Sequence, residues 1–274
     1  MSMTAAEFGY ISTLVRQESA IVLEPGKEYL VEARLMPLAR RTGIASISDI
    51  VRKLQQEPRG PLRDQVVEAM TTNETSWFRD RVPFTALTES VLPDLRAKRG
   101  AERAVNIWCA ACSSGQEPYT IAMLLSDAPA MAGWRTSILA TDLSEEMLTK
   151  CRNGRYSQLE VNRGLPAQLL IKHFERAGTE FAVKPALKSM VNFRAMNLAT
   201  QWPTLPAMDV VFLRNVLIYF DVETKRNILE RMRRVLRPDG YLFLGAAETT
   251  LNVHPAYERV TLNGATVYKL TRGA

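Results

Sequence analysis

Several acidic, basic and amide side chains stand out because each follows closely on a short apolar run. Glu117 lies in Ala110-Ala111-Cys112-Ser113-Ser114-Gly115-Gln116-Glu117-Pro118, a stretch of small residues with one glycine. A dinucleotide site uses three glycines in GxGxxG for close approach to a pyrophosphate, so a nicotinamide cofactor is disfavoured. Small side chains still admit a ligand close to the backbone. A carboxylate in a first helical turn can meet a cationic amino group, the polarity required by the α-ammonium of S-adenosylmethionine; a plain helix-dipole glutamate is the alternative. Asp142, in Ala140-Thr141-Asp142-Leu143, ends the second run, where a carboxylate can accept both hydroxyls of a ribose. Asn197-Leu198 follows the third run and suits the edge and face of an adenine. The fourth run ends in Arg214-Asn215-Val216-Leu217-Ile218-Tyr219-Phe220-Asp221. Arginine and asparagine directly after Val-Val-Phe-Leu are foreign to an ordinary buried strand and mark this loop as functional.

The elements that must position these groups follow from periodicity. Apolar runs at Val105 to Ala110, Ser137 to Ala140, Val191 to Met196, Met208 to Leu213 and Tyr241 to Gly245 alternate with helical patterns near Glu117 to Ser126, Glu145 to Arg152 and Val222 to Leu236. That alternation is the pattern of a doubly wound, mostly parallel α/β sheet, whose ligands bind at the carboxyl ends of the strands. Tyr257 to Thr261 and Thr266 to Leu270, joined through Asn263-Gly264, read as a closing antiparallel hairpin with a type I′ turn. Glu180 to Val191, after a helix near Pro166 to Arg176, reads as a small antiparallel β excursion. The first 70 residues are helical. Thr4-Ala-Ala-Glu7 forms a capping box ahead of Phe8, Ile11, Leu14 and Val15, and a second helix runs from about Lys27 to Arg41 and stops at Gly43, with Pro37 implying a kink or break. Ser48 can cap a third helix, and Pro61 opens a fourth. The expected division is a helical domain over 1–72, a linker over 73–104 and the sheet domain over 105–274, with the excursion at about 178–192.

Of 274 residues, 46% are hydrophobic and 23% charged, which excludes disordered and disulfide-stapled classes. No 18-residue apolar window and no signal-peptide pattern is present, so an intracellular protein is expected. Cys109, Cys112 and Cys151 are too few for a disulfide framework, and Cys109-Ala-Ala-Cys112 lacks the second pair that a zinc site needs, so no metal is expected. A net charge of +6 allows an acidic partner; residues 1 to 70 hold nine basic and nine acidic side chains, so any basic face there is a matter of arrangement.

Thr71-Thr72-Asn73-Glu74-Thr75-Ser76-Trp77-Phe78-Arg79, the loop from Ala110 to Tyr119, and Phe212 to Asp221 together resemble motifs of the CheR-type chemoreceptor glutamate methyltransferases, class I enzymes that use S-adenosylmethionine. The resemblance covers essentially the whole chain, with three motifs in family order; Glu74, Ser76 and Trp77 depart from the residues common in the first. It implies cofactor contact by Asn73, Thr75, Arg79, Glu117, Asp142, Asn197, Leu198, Arg214 and Asn215, with Arg79 and Tyr219 beside the transferred methyl. It also implies a cytoplasmic enzyme that esterifies glutamates on the cytoplasmic helices of chemoreceptors and releases S-adenosylhomocysteine. A glutamate has a reference pKa of about 4.3, so it arrives ionised and needs no general base, in keeping with a chain whose two histidines, His173 and His254, lie far apart in sequence.

Docking is assigned to Lys27, Arg34, Arg40 and Arg41 on the second helix, which in the resembled family grips acidic receptor helices; scattered solvated basic residues are the alternative. The excursion falls where family members carry a β-subdomain able to bind a receptor's C-terminal tether peptide. It looks shorter here, and no such peptide is expected to bind. Two rival readings stand beside this one. A nucleic-acid methyltransferase would commonly carry an acidic or amide residue followed by Pro-Pro and an aromatic where this chain has Arg214-Asn215-Val216. A non-catalytic receptor-binding module would have no need of Arg79, Glu117 and Asp142.

Overall fold

The computed structural model describes residues 3–271; the outermost two and three residues of the expected domains lie outside it. The chain divides into two compact units: residues 3–72 with Tyr219–Thr224, and Asn73–Ile218 with residues 225–271.

The helical unit contains α1 (Ala5–Ser19), α2 (Glu28–Thr42), α3 (Ile47–Gln56) and α4 (Pro61–Ala69). Thr4 Oγ1 accepts from Glu7 N while Glu7 returns a carboxylate to Thr4 N, so the capping box forms as expected. α2 ends on left-handed Gly43 but runs unbroken through Pro37. The ring deprives the Ala33 carbonyl of its usual donor, and burial of Val31, Leu35, Leu38 and Ala39 holds the helix together across that gap. Ser46, not Ser48, caps α3: its hydroxyl accepts from Asp49 N at 3.1 Å, which puts Ser48 inside the first turn.

The larger unit opens with α5 (Val82–Ala86), one wide π turn and α6 (Leu92–Lys98). Then come β1 (Ala104–Ala110), α7 (Gln116–Asp127), β2 (Arg135–Asp142), α8 (Glu145–Asn153), β3 (Arg155–Ser157), α9 (Gln158–Asn162), α10 (Ala167–His173), β4 (Phe174–Ala177), β5 (Glu180–Val183), α11 (Pro185–Lys188), β6 (Val191–Ala195), β7 (Met208–Leu213), α12 (Val222–Val235), β8 (Leu236–Leu244), β9 (Tyr257–Leu262) and β10 (Ala265–Leu270). The main sheet has the order β6-β2-β1-β7-β8-β10-β9, parallel through β8 and antiparallel in the closing hairpin. β1 and β7 are central, so both faces are covered and every residue of Met208–Leu213 is buried. Phe84, Phe212 and Phe243 stack face to face beside them, at 5.9 and 4.5 Å between rings. Burial of each such ring stabilises by about 1.5–3 kcal/mol. The hairpin turns on Asn263 and Gly264, both at positive φ (47° and 78°), as a type I′ turn requires.

The antiparallel excursion is a separate three-stranded sheet, β3-β5-β4, and draws on residues well before 178. Accordingly the helix expected to reach Arg176 stops at His173, where the chain extends to pair with β5. Among the described residues no helix is long and apolar enough to cross a membrane.

Candidate active site

The carboxyl end of β7 delivers Arg214 into the protein with its side chain only 2% exposed. Nη1 donates to Glu117 Oε2 at 2.8 Å; Nη2 donates to Asp80 Oδ2 at 2.6 Å and to the Arg79 carbonyl at 3.0 Å. The guanidinium lies over the Phe84 ring at 5.6 Å. Its buried Nε has no hydrogen-bond partner. Glu117 sits in the first turn of α7 with its side chain 13% exposed. Burial away from water raises its pKa, and Arg214 and Arg79 oppose that rise. The Arg214 guanidinium thus joins two other expected residues, Glu117 and Arg79, and one unexpected one, Asp80.

The backbone around this cluster is unusual. Ten described non-glycine residues have positive φ, and six of them, Phe78, Asp80, Arg81, Ala111, Ser113 and Asn215, lie in the loops that carry the expected site residues. Arg79 is flanked by left-handed Phe78 and Asp80, and Arg81, at φ 50° and ψ −52°, closes a tight turn with Val82 N on the Asp80 carbonyl. Such conformations cost about 1–3 kcal/mol each and persist where the surroundings over-determine them. Gly115, at φ +94°, meets a different demand: a Cβ there would stand 2.9 Å from both Cys151 Sγ and Tyr156 Oη.

A second set of contacts runs sideways along the strand ends. The Ser113 hydroxyl donates to the Asn73 carbonyl at 2.8 Å, and Ser113 N donates to Asp142 Oδ2 at 2.7 Å. Ser144 N holds the other carboxylate oxygen at 2.9 Å. Met196 N donates to the Asp142 carbonyl, which brings the Asn197-Leu198 corner beside the end of β2. Asn197 Oδ1 accepts from Ala199 N, and Leu198 is buried with its carbonyl held by Trp202 Nε1. Arg231, on α12, stacks on Trp202 at 4.9 Å and bonds the Thr200 carbonyl. Trp202 and Arg231 escaped the sequence reading because neither adjoins a motif. Thr75 lies half-buried between Asn73 and Arg79. Trp77 anchors that segment: it is buried edge-on to Tyr156 and Phe174, at 4.9 and 5.4 Å, and its amide bonds the Arg163 carbonyl.

The remaining candidates belong to the helical unit. Tyr219 accepts from Val22 N through its carbonyl, and Asp221 pairs with Arg16 at 2.8 Å. Arg34 is not a freely presented cation: its guanidinium donates to the Met70 and Thr71 carbonyls and to Thr72 Oγ1, closing α2 against the end of α4. Lys27, Arg40 and Arg41 are exposed. Arg40 shares the outer face of α2 with exposed Tyr29, Ala33 and Met36, at helical spacing, and exposed Arg41 stands about 100° round the helix from it. The histidines lie elsewhere, His173 against Asp127 and His254 against Glu230, each at 3.0 Å.

Do these residues fit S-adenosylmethionine? A buried acid complements a cationic amino group, an orphaned N–H inside the same cluster requires an anionic or carbonyl acceptor, and an amide-braced acid at the next strand end complements a diol. The donor set fits. Residues 73–265 match the CheR methyltransferase SAM-binding domain, and residues 6–71 match the CheR methyltransferase all-alpha domain. The chain belongs to the CheR methyltransferase family. It is 44% identical to chemotaxis protein methyltransferase 1 of Pseudomonas aeruginosa over 276 residues, which cover 98% of this chain and 99% of that protein. It is 41% identical to chemotaxis protein methyltransferase Cher2 of Pseudomonas putida, over 98% of this chain and 99% of that protein. With the Escherichia coli chemotaxis protein methyltransferase it shares 34% identity over 99% and 93%. As a CheR methyltransferase the chain uses S-adenosylmethionine, and the parallel sheet, closing hairpin and all-helical domain expected from the sequence are those of the family.

Proposed function

We propose that the protein esterifies glutamate side chains on the cytoplasmic helices of chemoreceptors, in the cytoplasm, as a step in chemotactic adaptation. The observation that carries this reading is the buried Arg214–Glu117 pair with Arg79 and exposed Asp80 beside it, inside the domain that matches the family. Glu117 would hold the cofactor's amino group, Arg214 and Arg79 its carboxylate, Asp142 its ribose, and Asn197 and Leu198 its adenine, with Asn73, Thr75 and Asn215 lining the same strand ends. S-adenosylmethionine supplies an electrophilic sulfonium methyl when bound.

The chain's own residues then have a limited task. The incoming glutamate is ionised near neutral pH, so no side chain need remove a proton. Attack of an anion on a cationic centre disperses both charges, and a setting that excludes water favours it. Arg79 donates Nη1 to the Glu74 carbonyl, which leaves it a looser contact for the substrate carboxylate. A tight bidentate pair would stabilise the ground state of the nucleophile and slow transfer. Arg79 therefore aligns the reacting oxygen, and Tyr219 is assigned the same task on the family resemblance alone. On the helical unit, the face of α2 with Arg40, Tyr29 and Met36, flanked by Arg41, offers cations beside apolar area to an acidic receptor helix, and Lys27 adds charge at the helix start. The short β3-β5-β4 sheet is read as not engaging a C-terminal receptor peptide; micromolar binding of such a peptide in calorimetry would reverse that part.

The test is methyl labelling of a purified chemoreceptor cytoplasmic fragment. Label that alkali releases as methanol supports esterification, because esters hydrolyse and N-methyl groups do not. Alkali-stable label, or label on RNA and none on the receptor, contradicts it.

A further inference from the structure

Glu248 lies four residues beyond the end of β8, at 8% exposure, in a stretch without regular structure. Its carboxylate accepts four backbone N–H groups from two segments. Oε2 takes Asn215 N at 2.8 Å and Gly245 N at 2.6 Å; Oε1 takes Val216 N at 2.9 Å and Ile218 N at 3.3 Å. Glu248 N donates back to the Gly245 carbonyl at 2.9 Å, so Gly245–Glu248 is a closed turn that presents the carboxylate. The loop it grips starts at Arg214 and Asn215 and runs on into Tyr219. Asn215 is left-handed, at φ 58°, a conformation that Asn accepts more readily than other residues with a Cβ. Gly245 completes the fit: a Cβ there would stand 2.8 Å from Asn215 Nδ2 and 2.9 Å from Asn215 N. One anion thus satisfies four amides, three of them in the Arg214 loop, in a half-buried setting.

We propose that Glu248 is a positioning residue for methyl transfer: its carboxylate holds the Asn215–Ile218 backbone in the one conformation that aims Arg214 and Asn215 at the cofactor. The proposal rests on the assignment of that cofactor site above. It also explains why a carboxylate and not an amide stands here. Both oxygens accept two N–H groups, so glutamine in either orientation would turn its NH2 against two donors.

The test uses the full chain with E248Q and E248D, each checked for folding by circular dichroism and melting. Hydrogen exchange is followed at the Asn215, Val216 and Ile218 amides, S-adenosylhomocysteine binding by calorimetry, and kcat and KM with a receptor fragment. In E248Q the three amides should exchange faster, S-adenosylhomocysteine should bind about ten- to a hundredfold more weakly and kcat should fall by a similar factor, with KM for the receptor within about twofold. E248D keeps the charge but is one methylene shorter, and should recover part of each loss. Should E248Q not fold, E248D carries the same comparison. Wild-type affinity and kcat in either folded variant overturns the proposal, as does a loss that merely follows the unfolded fraction. A wild-type protein that binds S-adenosylhomocysteine yet forms no alkali-labile ester would contradict the functional reading and leave the binding and exchange measurements to judge Glu248.

Discussion

At the amino end of β7, Asp209 accepts Arg99 Nε at 2.9 Å and Asn106 N at 2.8 Å, while Arg99 Nη1 and Nη2 grip Asp239 at 3.0 and 2.6 Å. At the carboxyl end of the same strand, Arg214 joins Glu117 and Asp80; each network also holds a buried arginine Nε without a hydrogen-bond partner, Arg237 beside Asp209 and Arg214 itself. Both are ion networks on a fully buried strand, yet they titrate in opposite senses. The Asp239 carboxyl is held below its usual range by Arg99, and Arg99 is held above its own chiefly by Asp239, so the amino-end network favours its charges. Burial moves Glu117 the other way. Charges held in their charged forms stabilise a fold, whereas a desolvated acid whose pKa is raised is poised for a ligand that supplies a cation. The backbones differ too: positive-φ residues crowd the loops at the carboxyl end, while Arg103 is the one such residue close to the amino-end network among the described residues.

Breaking the two networks should therefore have opposite signatures. Arg214→Ala should lower methyl transfer by about a hundredfold or more and shift Tm little, because Glu117 can take up a proton once its partner is gone. Arg99→Ala should leave Asp239 without its main partner and Asp209 with only Arg237 Nε at 3.3 Å and the Asn106 amide, at a cost of about 3 kcal/mol, lowering Tm by roughly 10 °C in a melting scan, with kcat kept at low temperature. If Arg99→Ala abolished transfer in folded protein, or Arg214→Ala destabilised as strongly, the contrast would fail. Next in size, Arg79→Ala should slow turnover about ten- to a hundredfold and Tyr219→Phe less; turnover within about twofold for both would remove them from the reacting centre.

A smaller effect concerns pH. A raised carboxyl pKa means that the ligand-free fold holds the Glu117 proton more tightly than the unfolded chain does. Its contribution to stability is then present at low pH and fades as pH rises through that pKa. Binding of a cationic amino group needs the ionised form, so affinity for S-adenosylhomocysteine should rise over the same interval and then level off. Calorimetry across pH should show that rise in the wild type and a weaker, flatter profile in Glu117→Gln. The smallest change is expected on the outer face of α2: Arg40→Glu with Arg41→Glu should raise KM for the receptor a few-fold and blunt its salt dependence, leaving kcat unchanged.

Local signals made much of this architecture readable. The Thr4 capping box, the Pro61 start, the Asn263-Gly264 turn and the five apolar runs each reflect a preference that acts over a few residues, and tertiary packing agrees with it. Elsewhere packing overrides local preference. α2 passes through Pro37 because its buried face holds it, and β3 and β4 are three and four residues long, too short for alternation to register. The candidate site divides the same way. Glu117, Asp142 and Arg214 are visible because strand ends are where α/β folds bind ligands, whereas Asp80, Glu248 and the Trp202–Arg231 stack act across long sequence separations. Arg34 has the spacing of a docking residue but serves as an internal tie.

The most direct test is a crystal structure with S-adenosylhomocysteine. The account requires the amino group at Glu117, the carboxylate within reach of Arg214 or Arg79, the ribose hydroxyls at Asp142 and the adenine at Asn197-Leu198. A cofactor product lying elsewhere, or Glu117 still closed on Arg214 with no ligand group between the loops at the end of β7, would contradict it.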